Sequence, residues 1–407
     1  MNGTGTRHRD GLGQRAWRAV GRPVWHAALR ASEVVGLRDT QEHLAHTLKG
    51  ALRRAWQRYA LRQTDEQIAA TSWAEQLGGG DAFSAERYRL AIPEVQRHFQ
   101  ANLVRGLPYE YWWEYCLGEF LKDRLPAPHL LSIGCGTGEL ERTLAALGAF
   151  TECDACDISP GAIAIAERAA REAGITSVRY TVSDANTCDF PPETYDAVWF
   201  HNSLHHVEAL EHVCEAVACT LKPDGYVFIH EYVGPSRFAF PPAQKRAVRQ
   251  AFALIPPRYR RSFDPDSAGT LRRRIAFPNP MEVRATDPSE SVRSAEILDV
   301  LPRYFDIVAR NDGGGTLLQT LLSNIAGNFR TDDPGSIAVL NMLFAIEDIL
   351  LEIGDLRSDF ALVVARPKTK RRAKRRQDRV RQDGQPGHGE AARETLLMLD
   401  PVARRHV

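Results

Sequence analysis

Between residues 127 and 232 the spacing of apolar positions switches repeatedly between two periods. Short runs that are continuously apolar or alternate in twos read as strands: His129–Ile133, Thr151–Asp157, Ser177–Val182, Tyr195–Phe200 and Tyr226–His230. Between them lie stretches with helical spacing: Glu139–Leu147, a segment opened by Ser159 and Pro160 and running to Ala173, and one that ends near Leu221. Ser159 is a good N-cap, and Pro160 suits the first helical position. Residues Lys222 to Gly225 carry Pro, Asp and Gly and predict a turn. Strands alternating with helices imply right-handed crossovers and a parallel sheet, hence an α/β fold.

The pattern changes on either side of this stretch. Residues from about 14 to 125 read as helical. Within them Leu44, Leu48, Leu52 and Trp56 recur every four residues, with Lys49, Arg53, Arg54 and Arg58 on the opposite face. Such a helix packs on a neighbour or, through its basic face, lies on an anionic membrane. Residues 235–300 are rich in Pro and Arg, interrupt the alternation and read as a cap inserted after the fifth strand. Strands resume with Tyr304–Ala309. The three glycines at 313–315 precede a helix, Ile337–Ile353 reads as a buried helix, and Phe360–Val364 as the last strand. The division predicted is a helical extension at 1–125, a catalytic domain at 126–366 and a basic, disordered tail at 367–407.

Composition changes this picture little: 43% hydrophobic and 25% charged residues are ordinary for a globular chain. No uninterrupted apolar run reaches the roughly 18 residues of a membrane span, and no signal-peptide pattern opens the chain. The seven cysteines are scattered. Cys153 and Cys156 lie three apart in a predicted strand and so face opposite sides, as buried apolar residues rather than metal ligands. No metal site and a reducing, cytoplasmic location are expected. Charge is more telling. Residues 1–60 hold eleven basic against four acidic residues, and 366–381 hold ten against one, so two basic ends flank an acidic body. The tail's charge suits RNA, DNA or an anionic membrane surface. It has no aromatics for base stacking, so a solvated or membrane-associated tail is favoured over a nucleic-acid arm.

The candidate chemistry begins in LLSIGCGTGELER, residues 130–142. A glycine loop between strand and helix suits a nucleotide, and both a dinucleotide and S-adenosylmethionine (SAM) bind such loops. The dinucleotide fingerprint G-x-G-x-x-G fails at its third glycine, where Glu139 stands. A carboxylate there repels pyrophosphate but tolerates an ammonium and a sulfonium. Gly138 instead makes the pattern G-x-G-x-G. Asp157, 23 residues after Gly134, ends the second strand and suits ribose hydroxyls. Asp184 ends the third strand. Ligands of open α/β sheets bind at the carboxyl ends of strands, so Gly134, Asp157 and Asp184 would line one crevice.

With LSIGCGTGELE, CDISPGAIAIA, VSDAN, YDAVWFHNSLHHV and LKPDGYVFIHEY in this order, the chain resembles the class I SAM-dependent methyltransferases. FDIVARNDGGGTLL and DFALVVARP resemble that family's final two strands, a hairpin-like pair. The resemblance implies a doubly wound, Rossmann-like sheet of seven strands, order 3-2-1-4-5-7-6, the last strand antiparallel, with SAM as cofactor. It also implies that Gly134, Cys135, Gly136 and Gly138 pass under the methionine part and that Asp157 binds the ribose, with Ile158 against the adenine. Asp184 would accept from the adenine amino group beside Ala185, and His201 and Asn202 would pass near the donor methyl. Tyr226 stands where the family often has a second glycine, a change expected to affect packing only.

Methyl transfer needs alignment of the nucleophile and removal of water, and a base only where the acceptor must lose a proton. His205, His206 and Glu231 are the candidates for that role, beside Tyr232. The segment Asn202 to His205 lacks the Pro-Pro-aromatic run of base-amino methylation and the Cys of pyrimidine C5 methylation. The expected acceptor is therefore an O or N atom of a small or sugar-containing molecule, its pocket built by the cap. The Arg clusters Arg258, Arg260, Arg261 and Arg272 to Arg274 suit phosphate or carboxylate, and equally a solvated surface. The alternatives are an RNA or protein methyltransferase docked by the basic ends, and a noncatalytic interaction protein.

Overall fold

The computed structural model describes residues 84–368 other than Asp266, together with Thr64 and Gln67. The stripe from Leu44 to Trp56 and the basic tail beyond Lys368 lie outside the described residues. Seven strands form one sheet: β1 (Ala127–Ile133), β2 (Phe150–Asp157), β3 (Val178–Val182), β4 (Tyr195–His201), β5 (Leu221–Tyr232), β6 (Phe305–Gly314) and β7 (Phe360–Pro367). Their spatial order is 3-2-1-4-5-7-6, with β7 antiparallel to both β5 and β6. The helices in chain order are α1 (Pro93–Leu103), α2 (Trp112–Cys116), α3 (Glu139–Ala146), α4 (Pro160–Glu172), α5 (Leu210–Thr220), α6 (Pro242–Leu254), α7 (Pro280–Thr286), α8 (Ile297–Tyr304), α9 (Leu318–Leu322) and α10 (Pro334–Glu352).

Strand alternation sorts the sheet's side chains into two cores. Leu131, Val198, Val227 and Val363 face α5 and α8, whereas Leu130, Trp199, Phe228 and Val364 face α1 and α2. Cys153 joins the second core and Cys156 the first, the opposite facing expected of residues three apart. The N-terminal helices α1 and α2 thus close one face of the sheet, with Trp112 fully buried against Trp199. Tyr226 packs against Phe228 and under the Arg366 guanidinium.

Three differences from the sequence reading have plain causes. Residues Lys222 to Gly225 do not separate helix from strand but swell out of β5, whose register on β4 jumps from Tyr195↔Leu221 to Ala197↔Tyr226. Residues 297–300, read as cap, are the first turn of α8, because Ile297, Val300 and Leu301 are buried under the sheet. The third concerns the excursion between β6 and β7, which pair as expected: the two helices read there, α9 and α10, belong to the cap. That excursion shares a third core with α6: Phe252 and Ile255 pack with Leu317, Leu321, Leu340 and Leu343. The cap is therefore one body made from two insertions. Among the described residues, α10 is the one helix long and apolar enough to cross a membrane by length and composition. The uninterrupted-run criterion missed it because Glu347 and Asp348 fall inside. Its Leu340, Leu343 and Glu347 are buried in the cap.

Candidate active site

The glycine loop leaves β1 and enters α3 at the carboxyl end of the sheet. Its three glycines all have positive φ, but they serve different purposes. A Cβ at Gly134 would collide with Ser203, and one at Gly138 would stand 2.5 Å from the Tyr180 hydroxyl. At Gly136 (φ +53°) a Cβ would meet nothing within 4 Å. Gly134 and Gly138 are thus small so that the protein can close upon itself, whereas Gly136 borders open space that a ligand can fill.

Asp157, at the end of β2, clamps this loop. Its Oδ2 accepts from the Gly136 amide at 2.9 Å and its Oδ1 from the Ser159 amide at 2.8 Å. Burial pushes its carboxyl above the usual range, and those two amides pull it back. Each oxygen keeps a lone pair for a hydroxyl donor. Ile158 follows it, half-buried. Cys135, whose thiol burial pushes up, donates to the Gly136 carbonyl and is no nucleophile. Asp184 ends β3 as predicted, but its Oδ1 is taken by the backbone and side-chain amides of Asn186, both at 2.8 Å, leaving Oδ2 for a ligand. Ala185 beside it leans on the sheet core.

Beyond β4 the chain turns at Asn202 (φ +52°), whose amide donates to the His230 carbonyl. His201 is partly buried at this turn. Its ring lies 5.2 Å from Trp112 and 4.9 Å from His230, and burial lowers its pKa to about 4. The backbone after it, at Ser203, is what meets Gly134.

Glu231, at the end of β5, is fully buried. Burial alone would raise its pKa. His205 and the amides of Leu204 and Ser203 outweigh burial and hold it below the usual carboxylate range. Its Oε2 accepts from Ser203 and Leu204, and its Oε1 from Tyr232 and from His205 Nδ1. Glu231 is thus saturated and cannot itself reach a substrate; it fixes His205. Burial works against a charged His205, but Glu231, Glu290 and Asp287 raise its pKa. The His206 ring lies beside it at 4.1 Å, tilted by 41°, and burial lowers its pKa to about 3, so it is neutral at physiological pH.

Sequence reasoning missed three groups here. Ser203 and Tyr180 shape the loop, and the cap segment Asp287 to Ser291 closes over the two histidines, with Ser289 Oγ 3.0 Å from His206 Nδ1. The signal for the last was the run Asp287-Pro-Ser-Glu-Ser291, a dense set of acids and hydroxyls inside an otherwise basic cap.

Residues 131–229 match a family model described as a methyltransferase domain. That domain lies within a seven-stranded sheet whose order is the one the class I SAM-dependent methyltransferase resemblance implies. Within this methyltransferase domain, the open side of Gly136 and the spare lone pairs of Asp157 fit SAM, the family's cofactor. Over 155 residues the chain is 30% identical to an uncharacterised protein of Synechococcus, covering 36% of this chain and 35% of that one. Over 104 residues it is 33% identical to the ubiquinone biosynthesis O-methyltransferase of Burkholderia ambifaria, covering 26% and 44%. The chain therefore spans less than half the length of these two relatives. Among solved structures, geranyl diphosphate C-methyltransferase of Streptomyces coelicolor is 16% identical, with a TM-score of 0.42, covering 75% of this chain and 99% of that one.

Proposed function

We propose that the chain transfers a methyl group from SAM to a hydroxyl oxygen of a small molecule. The observation that carries this reading is the Glu231–His205 pair. A buried carboxylate with every lone pair engaged holds an imidazole at the carboxyl end of β4, one turn from the glycine loop. Bound SAM supplies a methyl on a sulfonium, whose C–S pair returns to sulfur as the new bond forms. The protein's share is to orient the acceptor, exclude water and stabilise the loss of the hydroxyl proton. Gly136 gives the cofactor room and Asp157 holds its ribose. His205 activates the acceptor hydroxyl, and the cap segment Asp287 to Ser291 keeps water away. A nitrogen acceptor with a free lone pair needs no such pair, which is why oxygen is favoured.

A likeness to ubiquinone biosynthesis O-methyltransferases supports phenolic hydroxyls as the first acceptors to try. The test is a labelled-SAM screen of the full chain against phenols, sugars and RNA, with His205→Gln in parallel. The expected result is transfer to hydroxylated small molecules, reduced 10²-fold or more in the variant with SAM affinity retained. Transfer only to RNA, or undiminished turnover in the variant, would refute the reading.

A further inference from the structure

The cap brings a carboxylate to the two histidines after β4. One ligand-capable atom from each of His205, His206 and Glu290 lies within 4.8 Å of the others, and His205 Nε2 is 3.7 Å from Glu290 Oε1. An ion with donors at ~2.1 Å in tetrahedral array needs them roughly 3.4 Å apart, so the set needs to close by up to about 1.4 Å.

The hydrogen bonds behind these side chains fix which ring atoms carry the lone pairs. Ser289 Oγ donates to Asp287 Oδ1 at 2.6 Å. Its single proton is thus used, and it can only accept from His206 Nδ1 at 3.0 Å. His206 therefore carries its proton on Nδ1 and a lone pair on Nε2. His205 Nδ1 is likewise committed to Glu231, and Ser291 Oγ donates to Glu290 Oε1 at 2.8 Å. Each donor has an oxygen partner behind it, the arrangement that orients imidazole and carboxylate ligands.

The local charge also asks for a cation. Glu231 and Asp287 are buried and Glu290 is partly so. Asp287 Oδ2 has no hydrogen-bond partner among the described residues. The nearby Arg237 turns its guanidinium to the backbone carbonyls of Asp287 and Glu290, at 3.4 and 3.1 Å. A buried carboxylate oxygen with no donor is uncompensated charge.

We propose that His205, His206 and Glu290 form a binding site for one divalent transition-metal ion of the zinc type. Two imidazoles and a carboxylate are donors suited to such ions, and three protein ligands leave a position for an outside oxygen. The site deepens the reading of oxygen methylation and rests on it for its purpose: an acceptor hydroxyl in the open position is oriented and made more acidic by the ion. His205 then activates the acceptor as a metal ligand.

The test uses the full chain, stripped with chelator and titrated with Zn²⁺ by calorimetry and with Co²⁺ by visible absorption; SAM affinity is measured on the same samples. One equivalent of Zn²⁺ is expected, with a tetrahedral-type Co²⁺ spectrum. Glu290→Gln and His206→Gln should each weaken uptake at least tenfold while SAM affinity stays within twofold. The same contacts would also suit an imidazolium held between Glu231 and Glu290, and that arrangement takes up no ion. No uptake by the wild-type chain, or uptake unchanged in both variants, overturns the proposal. A chain that methylates hydroxyls without binding metal overturns the site alone. A chain that binds the ion but not SAM leaves the site standing and refutes the methyltransferase reading.

Discussion

Glu141 shows how one residue couples the cofactor loop to pH. It lies in the first turns of α3, buried beneath β1, where Ser132 donates to its Oε1 and Oε2 has no hydrogen-bond partner among the described residues. Burial raises its pKa to about 7, with Arg142 pulling down and Asp157 pushing up. In the unfolded chain the same carboxyl titrates near 4.5. The folded state thus holds its proton longer, and stability falls as pH rises from about 4.5 to 7, then levels off. Glu141→Gln, which is neutral throughout, should gain stability over wild type, and the gain should grow by about 2 kcal/mol between pH 5 and pH 8. Urea unfolding of both proteins at the two values checks this; a pH-independent difference would contradict the buried-carboxylate account. In the sequence this residue is one more glutamate of an amphipathic helix. The place of Asp157 at the end of β2, by contrast, was legible from the strand pattern alone.

At the scale of the element, one helix start was read from its local cap and another was missed. Ser159 accepts from the Ala162 amide, as its place before Pro160 predicts. Asp333 caps α10 through Gly335 and Ser336, and so α10 begins at Pro334 rather than at Ile337. Caps supplied from a distance were invisible. Glu347 of α10, buried, accepts from the amides of Gly315, Leu317 and Leu318 at 2.9, 2.6 and 3.1 Å and so closes the amino end of α9. Removing it strands three buried donors. Glu347→Ala should lower unfolding stability by about 3 kcal/mol, and Glu347→Gln, which keeps one acceptor, by less. Denaturant titration distinguishes the two, and equal losses would count against the capping role.

For the whole molecule, the consequence of a cap made from two insertions is interdependence. Gly234 and Ser294 are adjacent, since Ser294 Oγ donates to the Gly234 carbonyl at 2.9 Å. Residues 236–293 can therefore be replaced by a short linker without stretching the sheet. The excision would nonetheless bare Leu317, Leu321 and Leu340, which pack on Phe252 and Ile255. The shortened chain is expected to aggregate or to lose cooperative unfolding, as judged by light scattering and thermal melts. A monodisperse product with an unchanged transition would show that α9 and α10 stand by themselves.

The strands themselves, the glycine loop and the acids ending β2 and β3 were legible in the chain because each depends on near neighbours: a period of two or 3.6, a cap, a residue at a strand end; the strand order came with the family resemblance. Tertiary packing was needed to show that the two helices between the final strands join the cap, and that His201 packs against Trp112 and His230. It was needed again to bring Ser289 to His206 across 83 residues of sequence. Contacts of that kind depend on where the cap comes to rest on the sheet, and burial of apolar surface decides that without leaving a local pattern behind.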